Sequence, residues 1–479
     1  MNIIYFHVHD QGRYVSPYGY PVNTPNLQRV AEEGVVFRNA FCAAPSCSPS
    51  RAALLTGQYP HQVGMYGLTN QGWMLENYDH HLQKTLQNAG YETVLCGTHH
   101  VTAKNKAGIA KLGYDRYLIG EEEDDAAEFR TQAAIDYLRR READAGGKPF
   151  FLALGYDITH QSKWNRSYVH GVERFGELDS RYVRPTPLLA DTPETRWEAA
   201  LQYRASELQD HHLGLLLAEL DRLDLRDNTL IIYTTDHGPG LPRTKVNLTE
   251  AGVGVSLVMS GPGGFSGGRV IDSLVSHVDL FPTICDLVGA DKPDRLEGSS
   301  LMPLLRNEAE SVRGYVYCEQ SYHGKRLPLR SVRNLRFSYV RRIGDELAEG
   351  DYGTDNSTAR GIYTSLGILD GPMPKEQLFD LYRDPHEVHN VASDARYKEV
   401  LDEMRRRLDG WMAKTGDPAV ADTVPVPPPE PEWSSKNAQH TAEVRRVWED
   451  ARDRLGGKPP AAAHTPAAAN TADPLRFSR

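Results

Sequence analysis

The sequence predicts an α/β fold: a large, mostly parallel sheet flanked by helices, then a smaller C-terminal α+β domain with an antiparallel sheet. Three observations carry this. Short apolar runs end repeatedly in polar residues, helical stretches separate those runs, and the texture changes after about residue 310. Asn2–Val8 is a short β-forming run that ends in the polar His9-Asp10-Gln11-Gly12. Pro25–Glu33 has helical spacing and Gly34 follows as its stop. Val35–Phe41 reads as the next strand. Pro49 suits the first turn of a helix through Ser50–Leu55. Thr93–Cys96, Phe150–Leu154 and Thr229–Thr234 repeat the strand pattern, and a long helix over Thr195–Leu223 precedes the last of them. Ligands of such sheets bind outside the carboxyl ends of the strands, so these polar strand ends are expected to gather at one edge.

In the second part, Tyr315–Gln320, Leu329–Val332 and Phe337–Arg341 read as shorter antiparallel strands. A helix is expected at Ala395–Trp411, with Tyr397, Val400, Leu401, Met404, Leu408 and Trp411 on one face. The expected division is a catalytic domain over 1–312, a smaller domain over 313–417, and a Pro/Ala-rich tail over 418–479 around a helical stretch at Thr441–Leu455. There are no internal repeats.

Bulk properties narrow the function. With 479 residues the chain can bury a deep core, and 40% hydrophobic and 25% charged residues are ordinary for a globular protein. A net charge of -10 argues against a nucleic-acid partner, yet leaves small anionic substrates open, because a site needs only local positive charge. No apolar run approaches the roughly 18 residues of a membrane span. Residues 1–8 lack a basic start and run straight into a strand, so a cytoplasmic protein without signal peptide is expected. Five scattered cysteines give no disulfide framework.

The most specific signal is Cys47-Ser48-Pro49-Ser50-Arg51, followed by Ala52-Ala53-Leu54-Leu55-Thr56-Gly57. At a helix N-terminus this segment would offer free N–H groups and a positive dipole end to an oxyanion, and Arg51 would add a bidentate donor. The bland alternative is a small buried cysteine before a helix. The segment resembles the signature of type I, formylglycine-dependent sulfatases of the alkaline phosphatase superfamily. In that family a dedicated formylglycine-generating enzyme oxidises the cysteine. The resemblance implies an alkaline phosphatase-like fold, with Cys47 as the precursor of the nucleophile. Cys42 lacks the following Pro and Arg and reads as core.

The family holds one divalent ion with two carboxylates after the first strand and an Asp-Asn or Asp-His pair later. Thr234-Thr235-Asp236-His237-Gly238 resembles the later pair. By register from Asn2 the earlier pair falls on His9 and Asp10. The implied ligands are therefore Asp10, His9, Asp236, His237 and modified Cys47, with Gln11 as the alternative to His9. Calcium is the family's usual ion, but imidazoles favour Mn2+ or Zn2+, so the metal stays open.

The family's G-K-x-H is matched by Gly97-Thr98-His99-His100. His100 takes the role of the histidine, and Thr98 stands where a lysine is expected. His99 either compensates for that charge or is solvated. The stretch Asp157-Ile158-Thr159-His160 resembles the segment with a second pocket histidine, His160, and Lys245 resembles the lysine that contacts sulfate. Ser276–Thr283 and Leu378–Leu381 also resemble family segments without carrying chemistry. Phe37–Phe41, Gly64–Leu68 and the stretch containing Glu319, His323 and Arg330 look like heparan N-sulfatases (sulfamidases). Those last three residues either face the substrate or serve structural roles.

The implied reaction is attack on sulfur by the hydrated aldehyde of modified Cys47, with Arg51 and Lys245 stabilising charge and His100 or His160 moving the proton. The implied substrate is a small sulfated molecule, a carbohydrate, cleaved at a sulfate ester or sulfamate. The first alternative is a phosphonate monoester or phosphodiester hydrolase on the same fold. The second is a non-catalytic binder of sulfated glycans, against which the intact C-S-P-S-R speaks.

Overall fold

A computed structural model describes residues 1–119, 127–143, 147–160, 166–344, 355, 357–368 and 373–426. The expected helix at Thr441–Leu455 lies outside the described residues. The described residues form two sheets. The larger contains β1 (Asn2–Val8), β2 (Val35–Phe41), β3 (Glu92–Gly97), β4 (Arg116–Tyr117), β5 (Phe150–Gly155), β6 (Thr229–Thr235), β7 (Leu257–Ser260) and β8 (Arg269–Ser276). Their order is β4-β3-β5-β1-β6-β7-β2-β8. Only β7 runs against its neighbours, pairing antiparallel with β6 and β2.

β1 lies centrally and all seven of its residues are buried, as its unbroken apolar run requires. Its alternating side chains feed two cores. Ile4, Phe6 and Val8 pack with Leu208, Leu213, Leu216 and Leu220 of the long helix Pro193–Arg222 and with Leu27 and Val30 of the helix Pro25–Glu33. Ile3 and Tyr5 share the other core with Leu54 and Leu55 of the helix Cys47–Thr56 and with Phe281 and Ile284. The sheet is thus covered on both faces.

The smaller sheet is antiparallel, ordered β12-β11-β10-β9: β9 (Val316–His323), β10 (Lys325–Arg333), β11 (Phe337–Arg342) and β12 (Glu376–Asp380). The helix Lys398–Thr415 buries Leu401, Met404, Leu408 and Trp411. The expected start at Ala395 is a single 3-10 turn, Ala395–Tyr397. Leu329, Val332 and Leu408 belong to the same hydrophobic cluster as Leu54 and Phe281, so the two sheets share a core. Backbone bonds also tie β9 to segments of the first part of the chain, from Glu319 N to Ala43 O at 2.8 Å and from Tyr322 N to Tyr66 O at 3.0 Å. Among the described residues no helix is long and apolar enough to cross a membrane. All five cysteines are buried free thiols.

Candidate active site

Strands β3, β5, β1 and β6 are neighbours, so their carboxyl ends lie side by side. These ends deliver Thr98–His100, Asp157–His160, His9-Asp10 and Asp236-His237 to one place. The chain bends sharply there. Asp10 (φ 48°) and His100 (φ 55°) both occupy the left-handed region, which is uncommon for non-glycine residues. The helix Cys47–Thr56 has Cys47 as its first residue and Ser46 as an extended N-cap, and every residue of it is buried.

Five side chains converge. His9, Asp10, Cys47, Asp236 and His237 each offer one ligand atom, and these atoms all lie within 4.8 Å of one another. Nδ1 of His9 is 2.6 Å from Asp10 Oδ1 and 3.3 Å from Asp236 Oδ2. Nε2 of His237 is 3.3 Å from Asp10 Oδ1 and 3.4 Å from Cys47 Sγ. Asp236 is held firmly. Its Oδ1 accepts from the backbone N–H of Asp10 (2.9 Å) and of His237 (3.0 Å), while Arg51 donates to its Oδ2 through Nε (3.2 Å) and Nη2 (3.1 Å).

A divalent cation fits this donor set. Burial pushes the Asp10 carboxyl up to about 7, although Lys245 and His160 pull against it. A cation among the donors would relieve that cost. Burial would raise Asp236 too, but His237, Arg51 and His7 outweigh it and hold it below the usual carboxylate range. Burial lowers His9 well below the ordinary imidazole value and His237 to about 4, leaving both neutral, as ligand imidazoles must be. The Cys47 thiol is pushed well up, first by burial, so the encoded residue is a poor thiolate nucleophile.

Around the donors stand the residues that would meet an anion. Nζ of Lys245, itself buried, donates to Asp10 Oδ2 (2.8 Å) and Asp355 Oδ2 (2.8 Å) and lies 3.5 Å from His160 Nε2. Burial opposes its charge, but Asp10 and Asp355 overcome this and keep it an ammonium. His100 Nδ1 lies 3.1 Å from His9 Nε2. At the position expected for a lysine, Thr98 donates to Asp157 Oδ2 (2.7 Å) and accepts from Arg130 Nη1 (3.1 Å). A buried guanidinium therefore stands behind the missing ammonium.

His9, Asp10, Cys47, Arg51, Asp236, His237, His100, His160 and Lys245 are brought together. The alternative ligand Gln11 is turned away: Tyr233 Oη donates to its Oε1 at 2.6 Å, and its amide reaches Ser206 Oγ at 3.4 Å. His99 faces a small cavity with Tyr5, His7, Arg51 and Thr98, and its Nδ1 accepts from Val101 N at 3.3 Å. His323 reaches Ser46 Oγ with Nδ1 at 2.8 Å, beside the helix that carries Cys47. Glu319 instead accepts from the backbone and side chain of His61, and Arg330 is paired with Asp417. Neither joins the donor group. Sequence reasoning missed Asp355 and Arg130. Nothing near either position signals a role, since Asp355 meets a lysine 110 residues away in the chain.

The sulfatase family profile matches residues 1–290, and a profile for the C-terminal part of N-sulphoglucosamine sulphohydrolase matches residues 244–343. The chain belongs to the sulfatase family. As a member it is a hydrolase of sulfuric esters. This sulfatase is 30% identical to human N-sulphoglucosamine sulphohydrolase over 445 residues, covering 83% of this chain and 87% of the relative. It is 28% identical to an ulvan-active sulfatase of Formosa agariphila, over 89% of this chain and 82% of that protein. A solved structure of a protein in complex with its substrate D-glucosamine-2-N,6-O-disulfate superposes with a TM-score of 0.68 at 21% identity, covering 87% of this chain and 99% of the other, and supports the fold.

Proposed function

We propose that this sulfatase removes a sulfate ester or sulfamate group from a sulfated sugar, with Cys47, matured to formylglycine by a formylglycine-generating enzyme, as nucleophile. The observation that carries the reading is the placement of Cys47 Sγ in a buried five-residue donor group at a helix N-terminus. The likeness to N-sulphoglucosamine sulphohydrolase supports an N-sulfated aminosugar as substrate.

The proposed roles follow from position. His9, Asp10, Asp236, His237 and the modified Cys47 would hold one divalent ion, which would supply Lewis-acid stabilisation and an activated nucleophile. Formylglycine would supply a hydrated aldehyde as the nucleophile. Two imidazoles in the set favour Mn2+ or Zn2+ over Ca2+. Arg51 fixes Asp236 and adds positive charge beside the nucleophile. Lys245 binds the non-bridging oxygens of the substrate, and Asp355 keeps its ammonium aimed inward. His100 and His160 move the proton at the leaving atom. Residues 1–312 would form the catalytic domain, and 313–417 would close its far side with His323 and Asp355.

Turnover of N-sulfoglucosamine, an O-sulfated sugar and an aryl phosphodiester on one preparation tests this. The proposal expects the sulfamate to be cleaved with the highest kcat/KM. The Asp236–His237 pair favours a second reading, phosphonate monoester or phosphodiester hydrolysis, and a preference for the phosphodiester would establish that one instead. Metal analysis of the purified protein decides between calcium and a transition metal.

A further inference from the structure

His9 stands where the family pattern has an aspartate, and an imidazole differs from a carboxylate in having a second functional atom on its far side. One ring nitrogen of His9, Nδ1, faces Asp10 Oδ1 (2.6 Å) and Asp236 Oδ2 (3.3 Å), where the other donors converge. The other, Nε2, lies 3.1 Å from Nδ1 of His100. His9 is fully buried and its ring packs edge-on against both His100 and His160, so it cannot turn to exchange these roles.

We infer that His9 is a positioning residue: ligation through its Nδ1 fixes the tautomer of His100, so that His100 presents an N–H from Nε2. The inference rests on the reading that His9 is a metal ligand. A neutral imidazole carries one proton, and a nitrogen that donates its lone pair to a cation cannot also bear it. The proton of a ligated His9 therefore sits on Nε2 and is donated to His100 Nδ1. That nitrogen becomes an acceptor, and the proton of a neutral His100 must lie on Nε2. In protein stripped of its ion the roles reverse. His9 Nδ1 then needs a proton to bond the Asp10 carboxylate, its Nε2 accepts, and His100 donates from Nδ1.

Protons balance in the change. On loading, the Nδ1 proton of His9 leaves to solvent, the Nδ1 proton of His100 passes to His9 Nε2, and His100 Nε2 takes one proton from solvent. The consequence is that His100 becomes the hydrogen-bond donor and acid.

The test is a long-range proton–nitrogen correlation spectrum of protein labelled with nitrogen-15 histidine, recorded after chelation and after loading with Zn2+, which is diamagnetic. His100 is assigned by the signals lost in His100→Gln. The expected result is a protonated Nε2 in the Zn2+-loaded protein and a protonated Nδ1 after chelation. A protonated Nδ1 in the loaded protein, or the same tautomer in both, overturns the inference. In Zn2+-loaded His9→Asp the Nε2–H form should be lost, and its persistence would show that His9 does not set it. If that variant does not fold, the two wild-type spectra still decide. The readout needs no turnover, so a protein with the expected tautomer that cleaves no sulfated sugar contradicts the proposed function and not this inference.

Discussion

Lys245 is the residue on which the pocket's charge balance turns. One buried ammonium answers two carboxylates from different parts of the chain, Asp10 just after β1 and Asp355, which lies between β11 and β12 in sequence. Removing it should do two things: weaken the grip on the substrate's anionic oxygens and leave Asp10 and Asp355 less compensated. Lys245→Met is expected to lower kcat/KM by ~10²–10³-fold, the scale seen when one donor to a developing oxyanion is lost. Asp355→Asn keeps the size and a hydrogen-bond acceptor but frees the ammonium to wander, so a smaller loss, ~10-fold, is expected. Steady-state kinetics check both, and an Asp355→Asn enzyme with unchanged kinetics would remove that residue from the pocket. Cys47, Asp10 and the Asp236–His237 pair were legible because each lies in a short contiguous motif. Asp355 was not, because its meaning comes only from a contact across the fold. Arg130 was hidden likewise: it reaches Thr98 from the helix Ala127–Ala143, and no local pattern links the two.

At the scale of elements, the site exists because four neighbouring strands end together. Those strands were legible in outline: β1, β2 and the helix Pro25–Glu33 have the bounds that their apolar runs and the stop at Gly34 imply. β4 was not, being two exposed residues defined only by pairing with β3. The short antiparallel β7 carries four buried residues, too few for a period to declare itself. The loop after β6 shows why its motif ends in glycine. Gly238 N donates to Gly252 O at 2.9 Å, and a Cβ on Gly238 would run into the carbonyl of Ala251. A Cβ on Gly252 would meet the carbonyls of Asn247 and Thr244. The two glycines let the Asp236–His237 strand end lie against the segment that carries Lys245. Gly238→Ala should therefore cost ~3 kcal/mol of stability, within the range of the larger single-residue effects, and loosen metal retention. Thermal unfolding and metal content measure both, and a variant of wild-type stability would contradict the close packing.

Across the whole molecule, the two sheets share one core, and the buried pair of His61 and Glu319 ties the first part of the chain to β9. Arg330 and Asp417, both fully shielded, pair within the second part. The sequence marked Glu319 and Arg330 but could not say whether they face substrate or each other's surroundings, since either role calls for a charged residue. Burial opposes the His61 cation, but Glu319 outweighs it and raises the group above its ordinary value. The sign of the linkage follows. A raised folded value gives stability that is present below the unfolded value of about 6.5 and lost as pH rises through the folded one. His61→Ala should cost ~3 kcal/mol at about pH 6, where the pair is charged, and less at about pH 9. Denaturant unfolding at the two pH values reads this, and an equal cost at both would remove the charge from the argument. On the proposed function, the assembled sheets, helix and core hold Cys47 where it would be matured and used. Mass spectrometry of the peptide containing Cys47, from protein made alongside a formylglycine-generating enzyme, tests that most directly. The account predicts an aldehyde in place of the thiol, its abundance tracking sulfate release across preparations. An unmodified thiol in fully active protein would contradict it.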